Sequence, residues 1–169
     1  RSPSELFSYP DSSIFRLLSD ERIKADKPLA RELGCQVGDE WVQISGLRTL
    51  GDEGMPICLA NVYVIPEYGS IAQRLGTSSR PVYEMIAETF KESIENITIR
   101  LTAGVLSDQK AAVLGVEPGS PSLSVSRFYE GRGGRIFEAS ISEHPASNFS
   151  YTFEFTRGWQ TADHWSWNN

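Results

Sequence analysis

The chain has 169 residues, 40% hydrophobic and 22% charged, which fits one folded domain with a real core. Its net charge of −6 argues against a duplex-binding surface, which needs a basic face to neutralise phosphates. No apolar run reaches about 18 residues, so no transmembrane helix and no membrane association are expected, and the opening residues do not read as a signal sequence.

Arg1 to Ser13 is rich in serine and proline without a period and reads as the end of a linker. Phe15 to Leu18 fits a short strand or turn, and Ile23 to Ala25 a strand. Asp26 is placed to cap a helix over Pro28 to Leu33, with proline in the first turn and Gly34 after the end. A strand from Trp41 to Leu50, a hairpin turn over Gly51 to Gly54 and a return strand from Ile57 to Ile65 follow; Pro66 ends the last. A short helix is predicted over Ile71 to Leu75. A longer one runs from Val82 to Phe90, where Val82, Ile86, Ala87 and Phe90 share a face. Ile94 to Ala103 alternates, with Ile97, Ile99 and Leu101 inward, and Ser107 caps a helix over Asp108 to Leu114 closed by Gly115.

Three more runs of period two occupy Ser122 to Arg127, Ile136 to Ser142 and Phe149 to Phe155, the first two separated by a glycine-rich turn. Together they predict an antiparallel sheet. On the second run Phe137, Ala139 and Ile141 make one apolar face, and Glu138 shares the other with Ile136, Ser140 and Ser142. A carboxylate beside a sheet core is costly unless it is paired or faces a wet cavity. Beyond Arg157 the chain carries three of its four tryptophans, Trp159, Trp165 and Trp167. Such aromatics are seldom left in water, so burial on the domain or a partner is expected.

Cys35 and Cys58 stand without a disulfide framework and read as reduced thiols of a cytoplasmic protein. With two histidines and no Cys-x-x-Cys, neither a zinc site nor another cofactor is expected. There is no Gly-x-Ser-x-Gly elbow, and two histidines leave little room for a nucleophilic triad.

The series Ala103, Ala111 to Val116, Gly119-Ser120-Pro121, Arg127, Gly134-Arg135-Ile136-Phe137-Glu138 and Ser142-Glu143-His144-Pro145-Ala146 resembles the effector-binding UTRA domain of GntR-type bacterial transcription regulators. The branch is the one named for the histidine-utilisation repressor, and the resemblance covers Ile23 to Arg157. It implies an α+β fold, an antiparallel β-sheet flanked by helices, like chorismate lyase. The domain would span residues 14–157, between a linker remnant at 1–13 and an aromatic tail at 158–169. It implies an effector-sensing domain that binds a small anionic metabolite. A homodimer is expected, touching DNA only through a winged-helix domain that is not in this chain. A chorismate lyase-like enzyme acting on a small carboxylate is the rival from another class. A domain used mainly for dimerisation is the third.

The resemblance also nominates ligand-binding residues. Arg48 takes the second of two arginine places that hold the effector's anionic end; Gly46 stands at the first. Guanidinium suits that task through its planar bidentate fork. The bland alternative is a surface arginine paired with Glu40 or Asp52. Glu138 matches the family's acidic residue, Tyr83 a tyrosine opening the long helix, and His144 a place where some members carry a ligand-contacting tyrosine. Ser140 and Ser142 are added because they share the Glu138 face. Each has a plainer reading: Glu138 as an ion-pair partner of Arg127 or Arg48, Tyr83 as a core tyrosine, His144 as a turn former and the serines as small residues at a crowded sheet. Pro81 and Ala60 stand where the family often has a serine and a glutamate, and with Gly46 they favour a smaller anion such as a carboxylate. The resemblance puts Arg48 and Glu138 at two pocket positions with opposite charges; facing one cavity, each would lower the cost of keeping the other there.

Overall fold

Six strands pair into a wholly antiparallel sheet in the computed structural model, which describes residues 13–51, 54–75, 80–151 and 157. The strands are β1 (Ser13–Lys24), β2 (Glu40–Leu50), β3 (Pro56–Val64), β4 (Asn96–Val105), β5 (Pro121–Glu130) and β6 (Ile136–Pro145). Their order is β1-β2-β3-β6-β5-β4. Two like halves therefore meet at the β3–β6 seam. Each runs strand, seven-residue helix, strand, strand: β1-α1-β2-β3 and β4-α3-β5-β6, with α1 at Lys27–Leu33 and α3 at Asp108–Leu114.

Both helices are set by local chemistry. The Asp26 side chain accepts from the Leu29 amide and the Ser107 side chain from the Lys110 amide. Gly34 and Gly115 end them at φ of 68° and 70°, a left-handed conformation that glycine adopts without steric cost. The central strands are buried on both faces. On β6 the residues Phe137, Ala139 and Ile141 pack on one side, while Glu138, Ser140, Ser142 and His144 are equally buried on the other.

The helix α2 (Val82–Phe90) and a 3-10 turn over Pro66–Arg74 cover part of the Glu138 face. Tyr83 stacks on Tyr129 there, and Gly69 lies so close to Val42 that a Cβ would come within 2.7 Å of a Val42 methyl. On the opposite face α3 packs Ala111 and Leu114 against Leu47 and Leu59, and Lys110 reaches Glu143 on β6 at 2.7 Å.

Four expectations change. The two short pieces at Phe15 to Leu18 and Ile23 to Ala25 are one continuous strand, β1, bulged between Leu17 and Ser19. As an edge strand exposed on both sides it has no reason to alternate. Ile71 to Leu75 does not start a separate α-helix but falls largely inside the 3-10 turn. Ile97 and Ile99 are half-buried as expected, yet Leu101 is 41% exposed, because β4 is the other edge. Finally, Phe149 to Tyr151 are not in a strand, and residues 152–155 of that expected run lie outside the described residues, as do the linker at 1–12 and the tail at 158–169.

Candidate functional site

Side chains two apart on a strand share a face, so Glu138, Ser140, Ser142 and His144 form one row along β6. They are 3%, 8%, 3% and 0% exposed. Register widens the row into a patch. Glu138 stands between Val64 and Tyr129, Ser140 between Val62 and Arg127, and Ser142 between Ala60 and Val125. The same face of β2 carries Ile44 beside Val62, Gly46 beside Ala60 and Arg48 beside Cys58. Four polar side chains in a buried row are more than a plain core would carry, since each must find a partner or lose free energy.

Glu138 carries the largest cost. Burial pushes its carboxyl up to about 8, and the positive charge of Arg127, which pulls the other way, is outweighed. Its Oε2 is buried and makes no hydrogen bond to any described residue. The neighbouring Tyr129 hydroxyl is held far above its ordinary range, first by burial and then by the Glu138 charge. Tyr83 lies flat on Tyr129, with ring centroids 4.8 Å apart, and its hydroxyl donates to Glu84 Oε1 at 3.3 Å. Tyr83 thus roofs the Glu138 end of the patch by way of Tyr129.

His144 sits at the other end of the row. Its Nδ1 donates to the Leu123 carbonyl at 2.9 Å, which leaves Nε2 as the acceptor nitrogen. Burial lowers its pKa to about 4, and the Arg127 charge pushes the same way. The ring is therefore neutral at physiological pH. It stacks on Phe149 at 3.7 Å between centroids and meets the edge of Tyr151 at 6.2 Å.

Arg48 is half-buried near the end of β2. Its Nη1 donates to Ser13 Oγ at 3.2 Å and its guanidinium lies 5.7 Å from the centre of the Phe15 ring. Gly46 explains that ring. A Cβ at Gly46 would stand 2.2 Å from the Phe15 ring, so glycine opens the space that the phenyl fills. Glu40 is taken by Arg22 at 2.6 Å and so is not the partner of Arg48.

The expected mutual neutralisation of Arg48 and Glu138 does not occur. Through β3, Glu138 aligns with Val42, six residues along β2 from Arg48. At about 3.3 Å per residue the two Cα atoms are roughly 20 Å apart along the strands, with two strand spacings added across. Arg127 takes the central place instead. It faces Ser140 across the β5–β6 pair, its charge lowers the pKa of both Glu138 and His144, and it lies against the Tyr151 hydroxyl, whose pKa burial lifts to about 12. The alternation from Ser122 to Arg127 puts Arg127 on the face of Leu123 and Val125, but its position relative to Glu138 depends on register.

A concavity of about 800 Å³ lies at the α1 end of the molecule, lined by Arg22, Gly34, Trp41, Ile65, Glu67 and Arg135 among others. None of the residues nominated from sequence lines it. Four of its charged groups form solvent-exposed ion pairs, Arg22 with Glu40 and Arg135 with Glu67 at 2.7 Å, which contribute little, and Asp39 accepts from the Gln36 amide. The buried row, with its strongly perturbed titrations, is the better candidate site. Among the described residues no three His, Cys, Asp or Glu side chains are grouped to hold a metal ion, and no helix is long and apolar enough to cross a membrane. Cys35 and Cys58 are unbridged.

Comparison with known proteins places this geometry. The family model of the UTRA domain matches residues 11–150. A structure described as the ligand-binding domain of a GntR-family transcriptional regulator from Bordetella bronchiseptica superposes with a TM-score of 0.69 at 25% identity, covering 85% of this chain and 91% of that one. A GntR-family regulator from Bacillus cereus gives 0.71 at 19% identity over 86% and 99% of the two chains. The effector domain of PhnF from Mycobacterium smegmatis gives 0.69 at 17% identity over 86% and 88%. A sequence search of curated proteins returned no match. The chain belongs to the UTRA domain family, and it is a ligand-sensing domain of the kind carried by GntR-type transcription regulators.

Proposed function

We propose that the domain senses a small anionic metabolite, best a carboxylate, on the sheet face that runs from Glu138 beneath Tyr83 towards Arg48. The observation that carries this reading is the buried Glu138 oxygen without a hydrogen-bond partner among the described residues, set beside Ser140, Ser142 and the Arg127 cation. A ligand's donor group would satisfy that oxygen, the serine hydroxyls and His144 would fix its orientation, and a guanidinium would hold its anionic end. Arg48 holds a ligand long enough to reach it, and Arg127 a shorter one.

Sensing then requires that the ligand bind two arrangements of the regulator with different affinity. In the complete regulator we place the DNA contact on a separate winged-helix domain. This chain supplies residues 14–157 as the effector unit, working as a cytoplasmic homodimer, with 1–13 as linker and 158–169 as an aromatic tail. The lyase alternative has no support from the matched family or from the similar structures, which are described as regulator domains.

Native mass spectrometry of gently purified protein tests the sensing reading, with a bound small molecule expected. Incubation with chorismate should release no pyruvate; release would establish the enzyme instead. Arg48→Ala and Arg127→Ala, compared by calorimetry against the molecule so identified, decide which guanidinium anchors it. Loss of the true anchor should weaken binding by about 2–5 kcal/mol, as for a buried charged partner.

A further inference from the structure

On the reading that this face holds the effector, we propose that the ligand is a zwitterion of the α-amino-acid class, its ammonium group bound by Glu138 and its carboxylate by Arg127. The geometry starts from register. Arg127 is paired with Ser140, so Glu138 is its diagonal neighbour on the adjoining strand, on the same face. Diagonal neighbours lie about 7–8 Å apart between backbones, within reach of long side chains, so both charged tips can meet at one amino-acid head group. The two side chains differ in what they leave to a ligand. Glu138 Oε2 is enclosed, with no hydrogen-bond partner among the described residues, and native proteins seldom leave such an atom unsatisfied. The Arg127 fork presents several donors and suits a carboxylate.

Each single-charge ligand meets an obstacle here. A plain cation at Glu138 is repelled by Arg127. A plain anion at Arg127 leaves Glu138 as a buried neutral acid, still short of an acceptor or donor partner. A molecule with both charges a bond or two apart answers both groups at once and brings no net charge into the patch. Of the groups facing Glu138, Arg127 offsets its charge only in part, since burial outweighs it. These groups are Arg127 and Tyr129 on β5 and Tyr83 on α2 with Glu84 beside it, while β3 presents only Val62 and Val64.

A proton balance follows. The empty site holds Glu138 protonated at neutral pH, because burial raises its pKa to about 8. A ligand ammonium stabilises the carboxylate, so the Glu138 proton passes to solvent as the ion pair forms, and the ammonium keeps its own. Zwitterion binding should therefore release close to one proton per site at pH 7 and tighten as pH rises towards 8. A plain carboxylic acid should release none.

The test uses matched probes on the full chain: the twenty common amino acids, and for glutamate and phenylalanine the forms lacking the amine (glutarate, 3-phenylpropanoate) or the carboxylate (4-aminobutyrate, phenethylamine). Thermal shift ranks the amino acids. For the best binder the two truncated forms are added if absent, and calorimetry in buffers of different ionisation enthalpy counts protons. At least one amino acid should bind about tenfold or more tighter than both truncated forms, the gap expected for losing a charged hydrogen bond. Glu138→Gln should remove most of that gap and the proton release, while leaving the amine-free form within about threefold. Circular dichroism confirms that the variant is folded, and the apolar, similarly sized Glu138→Met serves in its place if it is not. Equal binding by the amine-free form, no proton release, or an unchanged gap in the variant overturns the zwitterion assignment. So does an empty panel. A co-purified molecule without an amine alongside an empty panel removes this inference alone; an empty panel with nothing co-purified removes the sensing site with it.

Discussion

Glu138 and His144 impose opposite pH dependences on the fold. An unfolded glutamate ionises near 4.5 and this one near 8, so between those values the folded state keeps a proton that the unfolded chain has lost. Stability contributed by Glu138 therefore falls as pH rises through that window. His144 is neutral in the fold down to about 4, while the unfolded imidazole protonates below 6.5, so its contribution falls as pH drops through that range. The two slopes oppose each other below 6.5, and the Glu138 slope dominates from there to 8. Urea melts should show stability falling by about 1 kcal/mol between pH 6.5 and 8. Glu138→Gln should abolish that fall, and a variant that keeps the full slope would show that another group titrates. At the far end of the face, Gly46→Ala should cost about 1 kcal/mol by pushing the Phe15 ring off the strand, and Phe15→Ala should make the Gly46 substitution nearly neutral. A double-mutant cycle by denaturant melts gives the coupling, and purely additive costs would mean that Phe15 does not fill that space.

At the scale of elements, what was legible in the sequence was what local chemistry dictates. Asp26 and Ser107 cap their helices, and Gly34 and Gly115 end them, because each needs only neighbours within a turn. The alternation of Ile136 to Ser142 divides the β6 side chains between two faces as it does in the fold, and it marks Glu138 as a costly carboxylate without any knowledge of register. The edge strand β1 was not legible as one element, since exposure on both sides removes the alternating pattern. Nor was the distance between Arg48 and Glu138. Register is fixed by bulges and turns, and here it puts the two charges at opposite ends of one face and brings Arg127 beside Glu138 instead. Both edge strands expose apolar side chains, Ile14, Leu17 and Leu18 on β1 and Leu101 and Val105 on β4. Unpaired edges of this kind invite a partner. Analytical ultracentrifugation should find a dimer at micromolar concentration, weakened by Leu101→Lys with Val105→Lys or by Leu17→Lys with Leu18→Lys. A monomer at high micromolar concentration would rule out a strong self-contact.

At the scale of the molecule, two like halves meet at the β3–β6 seam. The candidate patch spans that seam: β2 and β3 contribute Gly46, Arg48, Ala60 and Val62, and β5 and β6 contribute Arg127, Glu138, Ser140 and Ser142. A ligand there touches both halves, so a small shift of one half against the other changes its contacts, which is what a sensor needs. The most direct test is native mass spectrometry of gently purified parent protein and of Ser142→Trp, which fills the centre of the patch with an indole. The account predicts a small-molecule adduct on the parent that is lost from a folded Ser142→Trp variant. An adduct retained undiminished in that variant would put the ligand elsewhere, with the Trp41 cleft the next place to look, and would contradict the assignment of this face as the sensing site.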